Sequence, residues 1–582
     1  MKRMSRRNGA YGLTVFVVAI LAGIAHARIA ERRAEQAKIK PGGSEALGLD
    51  RYGGIELPFV KPPGYFRVMK LGHRWMLVTP DGHPFWYKGV QYADFKNLES
   101  TVIANKYGGS NTLWATQRNR RMLSWGFNVI GMDSSEIGLP VGVYGSTTPN
   151  AVQIPFLLTL NASLRGATNP HGVMVKIPEY LKQVVAGVPT ATYNGWRGKL
   201  PDPYEPNFAL AFQHEIGYWQ NTIVTGGFAD KSWIVGISMD DADATWAFKG
   251  PGNGPLAKYP HIGFLVACTR FIYTAAENPD GQNWIDSKFY AKYVWIDYLK
   301  VKYSTIAGLN TAWGTSGFYT SFDDAGGFGT GTGVIDEDGR HTAWIGSDPY
   351  LLSHTTPGLK ADLDAFSYQF AKKYAQVVTD AIRAVDTNHL IFGPDAINNY
   401  GTRARNEILQ GLTDGGVDVF VLNYDPSFGP MAGSMADNNL TYDLTGKPAI
   451  LWYTLTAQAD SYMSAYPPQY AIPNFSTQAS RANHYATVDI PNFLNAQGAN
   501  GDYYILGFDW WTLIDMPNEQ ANLGLITPKD NAYDGKEAVS ARGKDRFGYP
   551  TGGEARNYGD FISAVRQANL DVLKRLREEI GR

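Results

Sequence analysis

The chain predicts an α/β fold: one (β/α)8 TIM barrel with a small N-terminal β element and a closing C-terminal helix. Three observations carry this. Eight short apolar runs recur along the 582 residues, amphipathic stretches separate several of them, and acids and aromatics collect just past their ends. Apolar runs of four to eight residues without alternation mark strands buried on both faces. Strands alternating with helices build a parallel sheet, and eight strands close it into a barrel whose chemistry sits at the C-terminal strand ends.

Taken in order, residues 1–27 read as an export signal. Lys2, Arg3, Arg6 and Arg7 precede an apolar run over 11–24, and Ala25-His26-Ala27 supplies a cleavage site. The run is shorter than the roughly 20 residues a spanning helix needs. The alternative is an uncleaved membrane anchor followed by the basic ARIAERRAEQAKIK. Both readings place the remainder outside the cytoplasm, in the periplasm or medium. Residues 28–60 read as a linker and 61–582 as the barrel domain. Within the latter, RWMLVTPDGHPFWY predicts a hairpin turning at Pro80-Asp81-Gly82.

The eight barrel strands are expected at 85–90, 127–132, 154–160, 233–239, 389–394, 417–424, 448–453 and 503–508. Helical patterns lie at 118–126 before the second, at 288–313 after the fourth and at 362–385 before the fifth. Residues 137–205 form a long irregular connection, and the Gly-rich 325–340 reads as a long loop over the same face. A helix over 558–580 ends the chain.

Composition narrows the function classes. Hydrophobic content of 44% and charge of 18% describe a folded globular chain, and a net charge of −1 gives no case for nucleic acid or an anionic membrane surface as partner. With a single cysteine, Cys268, there is no intrachain disulfide. Aromatics reach 13%, with 15 Trp and 34 Tyr, a surplus that fits stacking on the flat faces of sugar rings.

The segment WIVGISMDDADATW (233–246) concentrates the chemistry, because the fourth strand runs into Asp240, Asp241 and Asp243. Three adjacent acids repel one another and persist only with a cation, shared protons or solvent; a solvated acidic loop is the other reading. Further acids follow predicted strands at Asp94, Asp133, Glu136, Asp395, Asp425 and Asp509, as do the aromatics Tyr424, Trp452, Trp510 and Trp511. Asp241-x-Asp243 lacks the nucleotide-binding fold a sugar-transferase metal motif needs. His214-Glu215 has no second histidine four residues on, and Asp336-Glu337-Asp338-Gly339 lacks full calcium-loop spacing. No cofactor or metal is called for.

Four runs resemble, in order, the β-agarases and related β-galactosidase-like (β/α)8 glycoside hydrolases. They are KLPDPYEPNF (199–208), LNTAWGTSGFYTSFDD (309–324), AVDTNHLIFGPD (384–395), and GFDWWTLIDMP with NLGLIT (507–527). The resemblance covers about residues 65–540 and implies a glycoside hydrolase acting on a polysaccharide or oligosaccharide. It also implies a catalytic glutamate after the fourth strand and another after the seventh. Here Ala242 and Tyr453 occupy those places, so the retaining mechanism does not transfer residue by residue.

Three outcomes are open. The acids have moved, with Asp241 or Asp243 as acid and Asp425 or Asp509 as partner. Asp is one methylene shorter than Glu, so the carboxyls sit farther apart, toward the roughly 6.5–9.5 Å of inversion rather than the roughly 5 Å of retention. Alternatively, Tyr453 is the nucleophile, activated by a neighbouring carboxylate. Finally, catalysis is lost and a glycan-binding groove remains. The expected catalytic set is Asp241, Asp243, Asp425 and Tyr453. The expected substrate-binding set is Asp94, Asp240, Asp509, Tyr424, Trp452 and Trp510.

Overall fold

The computed structural model describes residues 48–57, 59–134, 152–160, 203–204, 208–210, 212–213, 216–217, 231–239, 290–317, 319–324, 333–336, 356–395, 397–398, 403–424, 434–457, 459–465, 475–517, 521–536 and 558–581. The signal segment, Asp240, Asp241, Asp243 and Asp425 lie outside them.

Three short strands come first: β1 (Arg67–Leu71), β2 (Arg74–Val78) and β3 (Pro84–Phe85), an antiparallel sheet. The β2–β3 turn falls where Pro80-Asp81-Gly82 predicted it, closed by Thr79 N donating to His83 O (2.8 Å). Eight parallel strands then form the barrel: β4 (Tyr87–Val90), β5 (Val129–Ile130), β6 (Phe156–Thr159), β7 (Ile234–Ser238), β10 (Leu390–Phe392), β11 (Phe420–Tyr424), β12 (Ala449–Tyr453) and β13 (Ile505–Trp510). All eight coincide with the expected runs. β13 reaches two residues beyond its run and takes in Asp509 and Trp510.

The strands lie side by side in sequence order, with β13 returning to β4. Between β10 and β11 the seam is closed by bridges at Phe392–Val419 and Ile397–Leu422. The strands are buried almost throughout, as parallel strands covered on both faces must be. Inside 325–340, expected as loop, β9 (Gly333–Asp336) pairs with β8 (Ser321–Asp324) apart from the barrel.

Before β5 come α1 (Val102–Tyr107) and α2 (Asn111–Ser124), the latter capped by Ser110 accepting from Leu113 N. The stretch 288–313 forms two helices, α3 (Tyr290–Tyr303) and α4 (Ile306–Trp313), split where Thr305 caps the second. Next come α5 (Pro357–Arg383), α6 (Asn406–Asp414), α7 (Met435–Thr445), α8 (Gln478–His484), a single π turn (Tyr485–Asp489), α9 (Ile490–Asn495) and α10 (Ile562–Ile580). The predicted terminal helix is thus present. It is tied in by Asn569, whose Nδ2 donates to Trp125 O (3.0 Å) and whose Oδ1 accepts from Tyr485 (2.7 Å).

The segment expected as linker is packed by its C-terminal part. Asp50 Oδ1 accepts from Tyr52 N (2.9 Å) and Gly54 N (2.7 Å), and Asp50 Oδ2 from Thr79 Oγ1 (2.6 Å). Tyr52, Ile55 and Leu49 are buried in the main core. Residues 48–57 therefore belong to the folded body, because Tyr52 carries too much apolar surface to leave in water. Among the described residues no helix is long and apolar enough to cross a membrane.

Candidate active site

Directly paired residues in a sheet share a face, and faces alternate along each strand. Asn423 pairs with Trp452, Trp452 with Asp509, Asp509 with Gly89, and Gly89 with Val129. The next rank is Tyr424, Tyr453, Trp510, Val90 and Ile130. The ranks face opposite ways, and packing says which is which. Tyr453 lies against Tyr485 of the π turn (6.1 Å) and Phe493 of α9 (5.1 Å), and Trp510 against Phe561 just before α10 (5.4 Å). That rank meets the surrounding helices, so Asn423, Trp452, Asp509 and Gly89 line the barrel interior. Thr159 and Ser238, paired with each other, extend the inner rank around the wall.

Asp509 is the acid on this inner rank among the described residues. Its Oδ2 accepts from Met132 N (2.8 Å) and from Tyr87 OH (3.1 Å). Its Oδ1 is buried with no hydrogen-bond partner among the described residues. Burial first, then the nearby Asp133 charge, hold its carboxyl well above the usual carboxylate range, against the opposing bonds from Met132 and Tyr87. The carboxyl fits because two glycines leave room: a Cβ on Gly89 would come within 2.2 Å of Oδ1, and one on Gly131 within 1.8 Å.

Beside and beyond Asp509 the wall is polar and aromatic. Trp452 Nε1 donates to Gln91 Oε1 (2.7 Å), and the Trp452 and Trp511 rings lie 4.9 Å apart at 30°. Both tryptophans are half-buried, whereas Trp510 is fully buried and donates through Nε1 to Leu523 O (3.0 Å). Asp94 is buried in the loop after β4, its Oδ1 accepting from Lys96 N (2.8 Å). Asp395 is buried after β10. Asp133, after β5, is half-buried at a backbone φ of +56°.

Tyr453 lies on the helix side. It is fully buried, and its hydroxyl donates to Asp489 Oδ2 (2.6 Å) in the π turn. Burial and the Asp489 charge push its phenol well above the ordinary value. Tyr424 stacks on it (6.3 Å, 21°) and shares the same carboxylate at 3.5 Å. His484 Nε2 lies 3.3 Å from Asp489 Oδ1. Of the residues expected from sequence, the structure brings Asp509 and Trp452 onto one face and Tyr424, Tyr453 and Trp510 onto the other. Gln91, Gly89 and Gly131 were not anticipated. The available signal was a glycine near the end of both YKGVQ and NVIGMD, a sign of close approach in a strand.

No protein-family model matches the chain. It is 23% identical to β-agarase B of Vibrio sp. (strain JT0107) over 540 residues, covering 84% of this chain and 49% of that protein. It is 22% identical to β-agarase A of the same strain over 437 residues, covering 73% of this chain and 35% of that one. The chain thus spans about half or less of the length of these relatives. Among solved structures, an agarase matches with a TM-score of 0.56 at 16% identity, covering 94% of this chain and 71% of that one. An exo-β-agarase matches at 0.55 and 17%, covering 94% and 70%. The barrel is glycoside hydrolase-like in fold.

Proposed function

From a glycoside hydrolase-like (β/α)8 barrel as premise, we propose that this chain is an exported glycoside hydrolase acting on a polysaccharide, with agar-type galactans as the first substrates to test. The observation that carries this reading is the Trp452–Trp511 pair. Two half-buried indoles side by side, one oriented by Gln91, sit at the end of the strands where such barrels place substrate. Flat apolar faces flanked by polar groups suit a sugar ring. The β-agarase names of the relatives point to the same class of substrate.

The acid in this proposal is Asp241 or Asp243, after β7, with Asp240 beside them as a substrate ligand. The partner is Asp425, after β11. Asp509 suits the base role poorly, because its carboxyl is fully buried and engaged by Met132 N and Tyr87 OH rather than set toward a water. Tyr453 suits the nucleophile role poorly, because its hydroxyl is turned to Asp489 behind the strand. The packing of Tyr424 and Trp510 likewise supports structural roles.

The test is reducing-end release from agarose and a panel of other glycans. Asp241→Asn and Asp243→Asn are expected to lower turnover, the acid itself by roughly 10²–10⁴-fold. Full turnover in both variants overturns the acid assignment. Binding without cleavage by the wild type establishes the rival reading, a glycan-binding protein on the same barrel, which Ala242 and Tyr453 at the places where the resemblance expects glutamates favour. Proton NMR of the fresh anomer separates inversion from retention.

A further inference from the structure

We propose that Asp133 is a substrate-contacting residue of the barrel mouth, taking a glycan hydroxyl, and that Asp509 is the residue that positions it. This rests on the glycan reading above and adds a subsite to it.

Asp133 stands directly past β5, and three strands pin the backbone around it. Met132 N donates to Asp509 Oδ2 of β13 (2.8 Å), Asp133 N to Thr159 Oγ1 of β6 (3.0 Å), and Ala93 N, after β4, to Ser134 Oγ (3.0 Å). The pinned backbone holds a non-glycine residue at φ +56°, a conformation that persists only where the surroundings over-determine it. Of the described acids at this end of the barrel, Asp94, Asp395 and Asp509 are buried and Asp133 is half-buried.

Beneath it, Asp509 lies with Oδ1 against Gly131, two residues before Asp133, and no described group satisfies that atom. The two carboxyls therefore stand in contrasting environments. The lower is enclosed, engaged through one oxygen and inclined to keep its proton; the upper has access to solvent. The oxygens of a solvent-accessible aspartate side chain offer acceptors to sugar hydroxyls.

The test compares gel retardation by soluble agarose with melting temperature for the wild type, Asp133→Gly, Asp133→Asn, Asp509→Asn and Asp509→Ala. Glycine takes φ +56° freely, so Asp133→Gly is expected to melt at or above the wild type. It and Asp133→Asn are nonetheless expected to bind about tenfold more weakly or worse. Asp509→Asn keeps an acceptor for Met132 and Tyr87 and should bind within about threefold of wild type; Asp509→Ala, which loses that anchor, should bind more weakly.

Wild-type affinity in both Asp133 variants overturns the contact role while leaving the glycan reading intact. Wild-type affinity in Asp509→Ala, or a loss in Asp509→Asn as deep as in Asp509→Ala, overturns the positioning role. A wild type that is retarded by no glycan in a broad panel overturns the glycan reading and this subsite with it.

Discussion

Trp452 and Tyr453 are adjacent in sequence and do opposite things. Trp452 shares the inner rank with Asp509, bonds Gln91 and lies beside Trp511; Tyr453 is sealed among Tyr485, Phe493, Phe508 and Trp510. A substitution at each therefore reads differently. Trp452→Ala removes half of a stacking face at a half-buried position packed against the core, so affinity for a bound glycan should fall by about tenfold or more, beyond what the accompanying drop in melting temperature accounts for. Retardation by soluble agarose measures it. Unchanged affinity in that variant would remove the aromatic pair as the basis of the proposed function.

At the scale of elements, the run LNTAWGTSGFY holds the fold together. Asn310 Nδ2 donates to Tyr319 O (2.6 Å), and Asn310 Oδ1 accepts from Thr315 Oγ1 (2.6 Å) and Tyr319 N (3.1 Å), which fastens the turn after α4. Trp313 Nε1 donates to Asp362 Oδ2 of α5 (2.7 Å). The same buried carboxylate receives Tyr303 OH (2.6 Å), Tyr298 OH (3.1 Å) and the Lys302 ammonium, all from α3. One aspartate thus joins three helices. Asp362→Ala would leave a buried indole N–H and its neighbours without their acceptor, so a loss of about 3 kcal/mol is expected in urea unfolding, and less for Asp362→Asn. Equal losses in the two variants would mean that packing, not the shared acceptor, joins the helices.

Across the whole molecule, buried acids set the response to pH. Burial raises Asp50 and Asp515 to about 6, and raises Asp489 against the opposing bonds from His484 and the tyrosines. A carboxyl whose folded pKa exceeds its unfolded value binds protons more tightly when folded. Its contribution is complete below the unfolded pKa of 3.8 and is lost as pH rises through about 6. The shifts of Asp50 and Asp515 are each worth on the order of 2–3 kcal/mol. Asp502 works the other way, lowered to about 2 by Lys70, Tyr442 and His73, and it loses its contribution only as pH falls below 3.8. The melting temperature is therefore expected to rise as pH falls from 7 to about 5 and to drop below about 4. A scan that peaks at neutral pH would contradict this balance.

Strand count, strand order and the positions of the main helices were legible along the chain. Apolar runs of strand length are flagged by their composition, and helices such as α5 and α10 by their 3.6-residue period. The acid-rich strand ends were legible as a region. Which of their side chains meet was not, because strands buried on both faces lack the alternation that tells inside from outside. Nothing in AILWY or ILGFDW separates Trp452 and Asp509 from Tyr453 and Trp510. That division follows from the register of each strand against the next around a closed sheet, and from the two glycines that make room for Asp509. The sequence by itself determined the barrel and the end of it that carries the acids. The tertiary structure alone decided which residues at that end look inward, since facing depends on contacts between segments hundreds of residues apart.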